Sequence, residues 1–296
     1  MPCYRPLKGY RSREKNESGK RSIVFNGRLG FVDMPVDIPC GQCIGCRLER
    51  SRQWAMRCMH ESQLYERSCF ITLTYDPEHV PRDGSLNKRH FQLFIKRLRK
   101  VLKGKKIRYF HCGEYGETLG RPHYHACLFN YDPEDKKLFS IAGGTRLYIS
   151  ELLTKVWGNG FVTVGEVTFE SAAYVARYIT KKITGDKAEE HYKGRLPEYT
   201  TMSRRPGIGK EWFEKYTNDV YPKDFIMVRE QKVQAPKYYD KLYEHSNPSE
   251  FALIKGRRKR TAKENALDNT PERLDVKERH KTLTINQLKR RYEDGT

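Results

Sequence analysis

Two histidines separated by one residue, His123 and His125, have the type and spacing of metal ligands. The segment 123–129 predicts a β-strand, so both imidazoles point to the same face, about 7 Å apart, where they can hold one cation. Glu114, at the end of the neighbouring strand, is the expected third ligand, and Glu117, within the following loop, is the alternative. Two imidazoles and a carboxylate leave coordination positions open for a phosphate oxygen, which suits Mg²⁺ or Mn²⁺. The alternative is a pair of half-exposed histidines without a metal.

The segment from about 171 to 184 carries two tyrosines one helical turn apart. At 100° per residue, Tyr174, Tyr178 and Lys182 fall within one sector of about 80°, opposite a face of alanines and isoleucines. A phenol is a weak nucleophile at neutral pH, so it needs a polarised phosphate and a nearby positive charge. The cation would supply the first, and Lys182 would hold the phosphate or stabilise the phenolate. These residues predict a phosphoryl-transfer site; the alternative is that the tyrosines pack against a partner helix.

The elements that would position these side chains alternate between strands and helices. The predicted strands cover 69–75, 107–112, 123–129 and 161–167, and the predicted helices cover 87–103, 150–157 and 171–184. The two central strands are close in sequence and should pair antiparallel. This order predicts an α+β fold, in which an antiparallel sheet is flanked by helices, with basic N- and C-terminal extensions.

Four regions are expected along the chain. They are an N-terminal hairpin, cysteine cluster and helix (1–66), a catalytic core (67–190), a C-terminal part packed on the core (191–245), and a basic charged tail (246–296). The hairpin is predicted over 22–38, because Asn26-Gly27 is a favoured two-residue turn between apolar runs.

The charge balance favours a polyanionic partner. Lys and Arg total 57 against 37 Asp and Glu, a formal net charge of +20. Each Lys or Arg that neutralises a phosphate releases condensed counterions, although charge alone does not separate DNA from RNA. No apolar run approaches the roughly 20 residues of a membrane span, and the N-terminus has no secretory apolar core. We therefore expect a cytoplasmic protein without membrane contact.

Three cysteines, Cys40, Cys43 and Cys46, form a CxxCxxC cluster. They are candidate ligands of a structural zinc ion, and Cys3 or Cys58 could complete a tetrahedral site. The alternative is that they are free buried thiols.

Several motifs resemble one family when they are taken together. ITLTYD (71–76), RPHYH (121–125) and YVARYITKK (174–182) look like the three motifs of HUH rolling-circle initiators. The doubled tyrosine, CGQCIGCR (40–47) and SRRPGIG (203–209) resemble the replication initiators of microviruses, gokushovirus type. The resemblance covers roughly residues 1 to 245.

This resemblance implies an HUH endonuclease fold and a specific activity. One tyrosine would attack a backbone phosphate at the single-stranded replication origin, stay linked to the 5′ phosphate and free a 3′ hydroxyl for host DNA polymerase. The second tyrosine would cut after one circuit. A host helicase is a further expected partner, and the host bacterial cytoplasm is the expected location. Within the motifs, Arg121, Arg177 and Lys181 are the candidate DNA-binding residues.

Two rival functions differ from this expectation in testable ways. A non-enzymatic nucleic-acid-binding protein would use its basic tail and stacking tyrosines, and would not need His123, His125 or Tyr178. A transposase of the same nuclease class would use a single tyrosine, and the doubled tyrosine argues against it.

Overall fold

The computed structural model describes residues 3–17, 19–116, 119–142, 144–183 and 187–286. The described chain divides into two compact units. The first contains residues 3–49 and 258–286, and the second contains residues 50–257.

The secondary structure is numbered in chain order. The described strands are β1 Leu7–Lys15, β2 Arg21–Val24, β3 Gly30–Ile38, β4 Ser68–Thr74, β5 Arg108–Tyr115, β6 Pro122–Phe129, β7 Lys137–Ala142, β8 Thr145–Ile149, β9 Val162–Glu166, β10 Tyr199–Met202, β11 Ile226–Val228 and β12 Gln231–Val233. The described helices are α1 Ile44–Ser62, α2 Lys88–Val101, α3 Glu151–Trp157, α4 Phe169–Lys181, α5 Lys187–Tyr192, α6 Lys210–Val220, α7 Lys237–Ser246, α8 Pro248–Glu264 and α9 Pro271–Asn286. None of these helices combines the length and the apolar character that a membrane span requires.

The first unit contains a three-stranded antiparallel sheet in the order β2-β1-β3. The predicted hairpin over 22–38 is therefore wrong, because β1 lies between the two strands that were expected to pair. Asn26 does not open a two-residue turn; its side chain accepts a hydrogen bond from the Arg28 amide and begins a short 3₁₀ turn at Gly27–Leu29.

The second unit is built on a seven-stranded sheet in the order β10-β5-β6-β4-β9-β8-β7. Every neighbouring pair is antiparallel, including β5 and β6. Helices pack against the sheet, so the predicted α+β class is confirmed.

Helix α2 covers one face of this sheet because its apolar residues lie on one side of the helix. Phe91, Phe94, Ile95 and Leu98 recur at helical spacing and are all buried, and the Asn87 side chain caps the first turn. Together with α3, these side chains form a core on the strand residues that include Tyr124, whose ring is fully buried.

The opposite face of the sheet carries a second core. Phe70, Phe110 and Cys127 of the strands pack there with Ala55 of α1 and Val175 of α4. Along each strand, residues that face α4 alternate with residues that face α2. The two cores therefore determine which side chains point toward α4.

A third core joins the later helices to α1. Met56 of α1 packs with Trp212, Tyr239 and Phe251 of α6, α7 and α8. His60 stacks on Trp212, and its Nδ1 lies 2.9 Å from the Tyr239 hydroxyl. Burial lowers the pKa of His60 to about 3, so this imidazole is neutral.

A buried ion pair explains the sequence SRRPGIG at 203–209. Arg108 donates from Nε to Glu61 and from Nη2 to the Pro206 carbonyl, 2.9 Å away. The other oxygen of Glu61 accepts the Gly209 amide at 2.7 Å. The loop is therefore held by two buried charged side chains, which gives this motif a structural role.

Replacing Glu61 by Ala should lower the free energy of unfolding by about 3–5 kcal/mol, because Arg108 would remain buried without its carboxylate partner. Glu66→Ala, at an exposed position just after α1, serves as the control and should change it by less than about 0.5 kcal/mol. Urea unfolding followed by circular dichroism measures both. A loss below about 1 kcal/mol in Glu61→Ala would show that the pair is dispensable.

Candidate active site

The pairing of β5 with β6 brings the predicted metal ligands together. Glu114 lies directly opposite His123, and Cys112 lies opposite His125. Both histidines and Glu114 therefore project from the sheet face that α4 covers, at the edge of the core formed by Phe70 and its neighbours.

The two imidazoles converge on one carboxylate oxygen. Nε2 of His123 and Nε2 of His125 each lie 2.7 Å from Oε1 of Glu114. The ring centroids are 4.9 Å apart and the rings are perpendicular, so the pair is closer than strand rise alone suggests. Glu114 and His125 are buried, whereas the His123 side chain is 17% exposed. The cluster is thus open to solvent on the His123 side.

The hydrogen bonds on the far side of each ring orient the imidazoles. Nδ1 of His123 lies 3.2 Å from the Arg121 carbonyl oxygen, which can only accept, so Nδ1 is the donor. In a neutral His123 the lone pair of Nε2 then faces Glu114. Nδ1 of His125 lies 2.9 Å from the Thr72 hydroxyl. These outer contacts are of the kind that fix the orientation of metal-ligating histidines.

The carboxylate has the electrostatic character of a cation ligand. Burial alone would raise the pKa of Glu114, but the two imidazoles at its Oε1, which donate hydrogen bonds when they are protonated, favour the charged carboxylate, and the pKa is lowered. Its second oxygen, Oε2, is buried and has no hydrogen-bond partner in the part of the chain that the structure describes. The ligand atoms of His123, His125 and Glu114 lie close enough together to bind one divalent cation. Two imidazole nitrogens and a carboxylate are suitable ligands for such an ion.

Helix α4 brings a tyrosine to this cluster. The helix is capped reciprocally by Thr168 and Ser171, which fixes where its first turn begins. One turn later, the Tyr174 ring lies edge-on to His125, with centroids 5.1 Å apart. Tyr174 is only 5% exposed and also meets Phe70 edge-on. The phenol-bearing face of α4 and the imidazole face of β6 therefore meet at Tyr174.

For three other residues predicted on α4, only the backbone is described. The backbone of α4 passes through Arg177, Tyr178 and Lys181, whose side chains lie outside the described residues. Helix α4 ends at Lys181, so the helix predicted to 184 is too long and Lys182 lies just beyond it, exposed. Lys182 adopts a non-helical conformation (ψ 120°), so it does not continue the helical face predicted for Tyr174, Tyr178 and Lys182.

The remaining predicted residues of this region are Glu117, the alternative third ligand, and Arg121, a candidate DNA-binding residue. Glu117 lies outside the described residues, and Glu114 lies with His123 and His125 in a group that could hold a metal ion. The Arg121 side chain donates to the Tyr75 carbonyl at 3.3 Å, and its own carbonyl accepts from His123. Arg121 thus links the start of β6 to the end of β4.

Thr72 is a residue of the site that the sequence interpretation missed. It lies opposite His125 in β4 and contacts its Nδ1. The signal was present in ITLTYD, because Thr72 and Thr74 alternate with apolar residues and so share one face. Which strand that face adjoins follows only from the pairing of β4 with β6.

Comparison with known proteins shows the family to which the chain belongs. The family model of the replication-associated protein ORF2/G2P matches residues 68–183, the segment that contains both histidines and both tyrosines.

Three curated relatives extend the match beyond that segment. The chain is 34% identical over 287 residues to the replication-associated protein VP4 of Bdellovibrio phage phiMH2K, covering 93% of this chain and 88% of that protein. It is 34% identical to the replication-associated protein ORF2 of Spiroplasma virus 4 (89% and 87% covered) and 31% identical to ORF4 of Chlamydia phage 1 (72% and 56%). The chain belongs to the replication-associated proteins of microviruses. No solved structure matches it significantly.

The geometry predicts a divalent cation site that depends on Glu114. Glu114→Gln should lower the affinity for Mn²⁺ at least about tenfold, because the neutral amide removes the charge on which both imidazoles converge. Isothermal titration calorimetry measures the affinity, and a thermal melt checks that the variant is folded.

The matched control is His245→Asn, a substitution of an exposed histidine on α7. It should leave the affinity for Mn²⁺ unchanged. Equal affinities in Glu114→Gln and the unmodified protein would rule out Glu114 as a ligand.

Proposed function

We propose that this protein is a site-specific single-strand DNA endonuclease of the HUH type. It nicks and rejoins DNA through a 5′-phosphotyrosine intermediate, and so initiates and terminates rolling-circle replication of a circular single-stranded phage genome. The observation that carries the proposal is the position of Tyr174 beside His125, whose Nε2 shares a Glu114 oxygen with His123. Membership of the microvirus replication-associated proteins supports the replication role.

Glu114, His123 and His125 hold the cation, Mg²⁺ or Mn²⁺, in this proposal. When bound, such an ion draws charge from a non-bridging oxygen of the scissile phosphate. Thr72 and the Arg121 carbonyl keep the two imidazoles turned toward the carboxylate. His123 is partly exposed, and a DNA phosphate approaches the cation from this side.

A tyrosine of α4 is the nucleophile. Its phenol oxygen forms a bond to phosphorus, and the bond between phosphorus and the 3′ oxygen breaks. The phenol proton is lost, and the leaving 3′ oxygen gains a proton and becomes the hydroxyl that a host polymerase extends. Tyr174 and Tyr178 take this role in turn, once to start a circuit and once to end it. The 3′ hydroxyl then attacks the phosphotyrosine, which reforms the phosphodiester and frees the tyrosine.

The basic residues near the site hold the single strand. Arg121, Arg177 and Lys181 contact DNA phosphates in this proposal, and Lys182, exposed at the end of α4, supplies further positive charge. Residues 67–190 form the catalytic core, with 1–66, 191–245 and 246–296 as attached regions. The protein works in the host bacterial cytoplasm with the host polymerase and helicase.

The test is formation of a covalent adduct with single-stranded DNA that contains the phage origin. With Mn²⁺ present, the protein should yield a band that resists denaturation, and EDTA should abolish it. Tyr174→Phe combined with Tyr178→Phe should abolish the adduct while retaining DNA binding, because phenylalanine keeps the ring and removes the attacking oxygen.

Tyr216→Phe, on α6 in the same unit, is the matched control and should form the adduct normally. Gel electrophoresis of the adduct and a filter-binding assay of DNA affinity separate chemistry from binding. If the double variant still forms the adduct, the proposed mechanism fails. If all proteins bind DNA without any adduct, the protein is a binding protein only.

A further inference from the structure

Four cysteines of the first unit have converged sulfur atoms. The sulfurs of Cys3, Cys40, Cys43 and Cys46 all lie within 4.8 Å of one another. Cys3 Sγ is 3.7 Å from Cys40 Sγ and 4.0 Å from Cys43 Sγ. A disulfide needs about 2.05 Å, so these are separate thiols. Tetrahedral zinc with bonds of about 2.3 Å to sulfur places its ligands about 3.8 Å apart, close to the spacing seen.

Cys3 supplies the fourth sulfur of this cluster. The sequence left Cys3 and Cys58 as alternatives, and Cys58 is buried in the second unit among the residues that surround Phe110. Cys3 precedes β1, Cys40 follows β3, and Cys46 lies in the first turn of α1. The cluster therefore joins the start of β1 and the end of β3, which lie side by side at one end of the three-stranded sheet, to the start of α1.

Backbone amides are directed at these sulfurs. The Cys40 amide donates to Cys3 Sγ, the Cys43 amide to Cys40 Sγ and the Tyr4 amide to Cys43 Sγ, each at 3.3 Å. Such donors stabilise the thiolate, which is the form that binds metal. Several thiolates in one place repel one another unless a cation lies among them.

The first unit has almost no apolar core that could replace a metal. Among its described residues, the buried hydrophobic side chains are those of Cys3, Cys43 and Leu274, and two of these belong to the cluster. Phe25 and Met34 are more than half exposed. A unit this small with so little apolar burial generally needs a crosslink or a structural metal to remain folded.

A contact between the N-terminal segment and α9 lies close to the cluster in sequence. Arg5, two residues after Cys3, pairs with Glu278 of α9, with 2.7 Å between Nε and the carboxylate. Arg5 is largely exposed, so this pair alone contributes little. Holding Cys3 in place keeps Arg5 within reach of Glu278.

We propose that Cys3, Cys40, Cys43 and Cys46 bind one Zn²⁺, which is the structural crosslink of the first unit. Four sulfur ligands fill a tetrahedral zinc ion, so this site has no open position for substrate and takes no part in phosphoryl transfer. Its soft ligands also select a different metal from the nitrogen and oxygen ligands at Glu114.

Elemental analysis of the purified full-length protein tests the proposal. We expect about one zinc ion per chain, and replacement by Co²⁺ should produce a sulfur-to-cobalt charge-transfer band. Cys3→Ser and Cys40→Ser should each reduce the bound zinc at least about tenfold. Gln42→Ala, an exposed neighbour in the same loop, and His125→Ala, at the other candidate metal site, should retain it.

Two further measurements apply if the serine variants do not fold. Cys46→His keeps a zinc ligand and should retain the metal. In the unmodified protein, titration of the thiols with an organomercurial should release zinc into a chromogenic chelator in step with thiol modification. Zinc-free protein, zinc lost in His125→Ala but kept in Cys3→Ser, or zinc release independent of thiol modification would each overturn the proposal.

Discussion

A single carboxylate oxygen, 2.7 Å from the nitrogens of two imidazoles, is the contact on which the candidate site depends. Nδ1 of His123 donates to a carbonyl, so its Nε2 meets Glu114 lone pair to lone pair unless a proton or a cation lies between them. The packing of the second unit holds Glu114, His123 and His125 at these short distances. Cores on both sheet faces hold the β5–β6 register, and a slip of one residue would move both histidines under α2.

The sequence predicted those parts of the site that follow from local periodicity. The shared face of His123 and His125 and the helix carrying Tyr174 are set by strand alternation and helical spacing, which a single segment displays. Contacts between distant segments were harder to predict. The hairpin at 22–38 was wrong because β1, rich in charge and mostly exposed, lacks the apolar alternation of a strand yet inserts between β2 and β3. Strands β7 and β8, which are six and five residues long, were also not predicted.

The two proposed cation sites have different ligands. Nitrogen and oxygen ligands with an exposed side, as at His123, suit a hard ion that must also contact a phosphate. Four sulfurs at the end of a small sheet suit a closed zinc site that substitutes for a missing apolar core. One metal is thus proposed to take part in the reaction and another to support folding, each within its own unit.

In the proposed mechanism, a tyrosine of α4 and the imidazoles of β6 act on one phosphate. Peptide mass spectrometry of the covalent complex with origin DNA tests it most directly, because it identifies both the modified residue and the DNA end. We expect a nucleotide linked through its 5′ phosphate to Tyr174 or Tyr178. A nucleotide linked to any other residue, or through a 3′ phosphate, would contradict it.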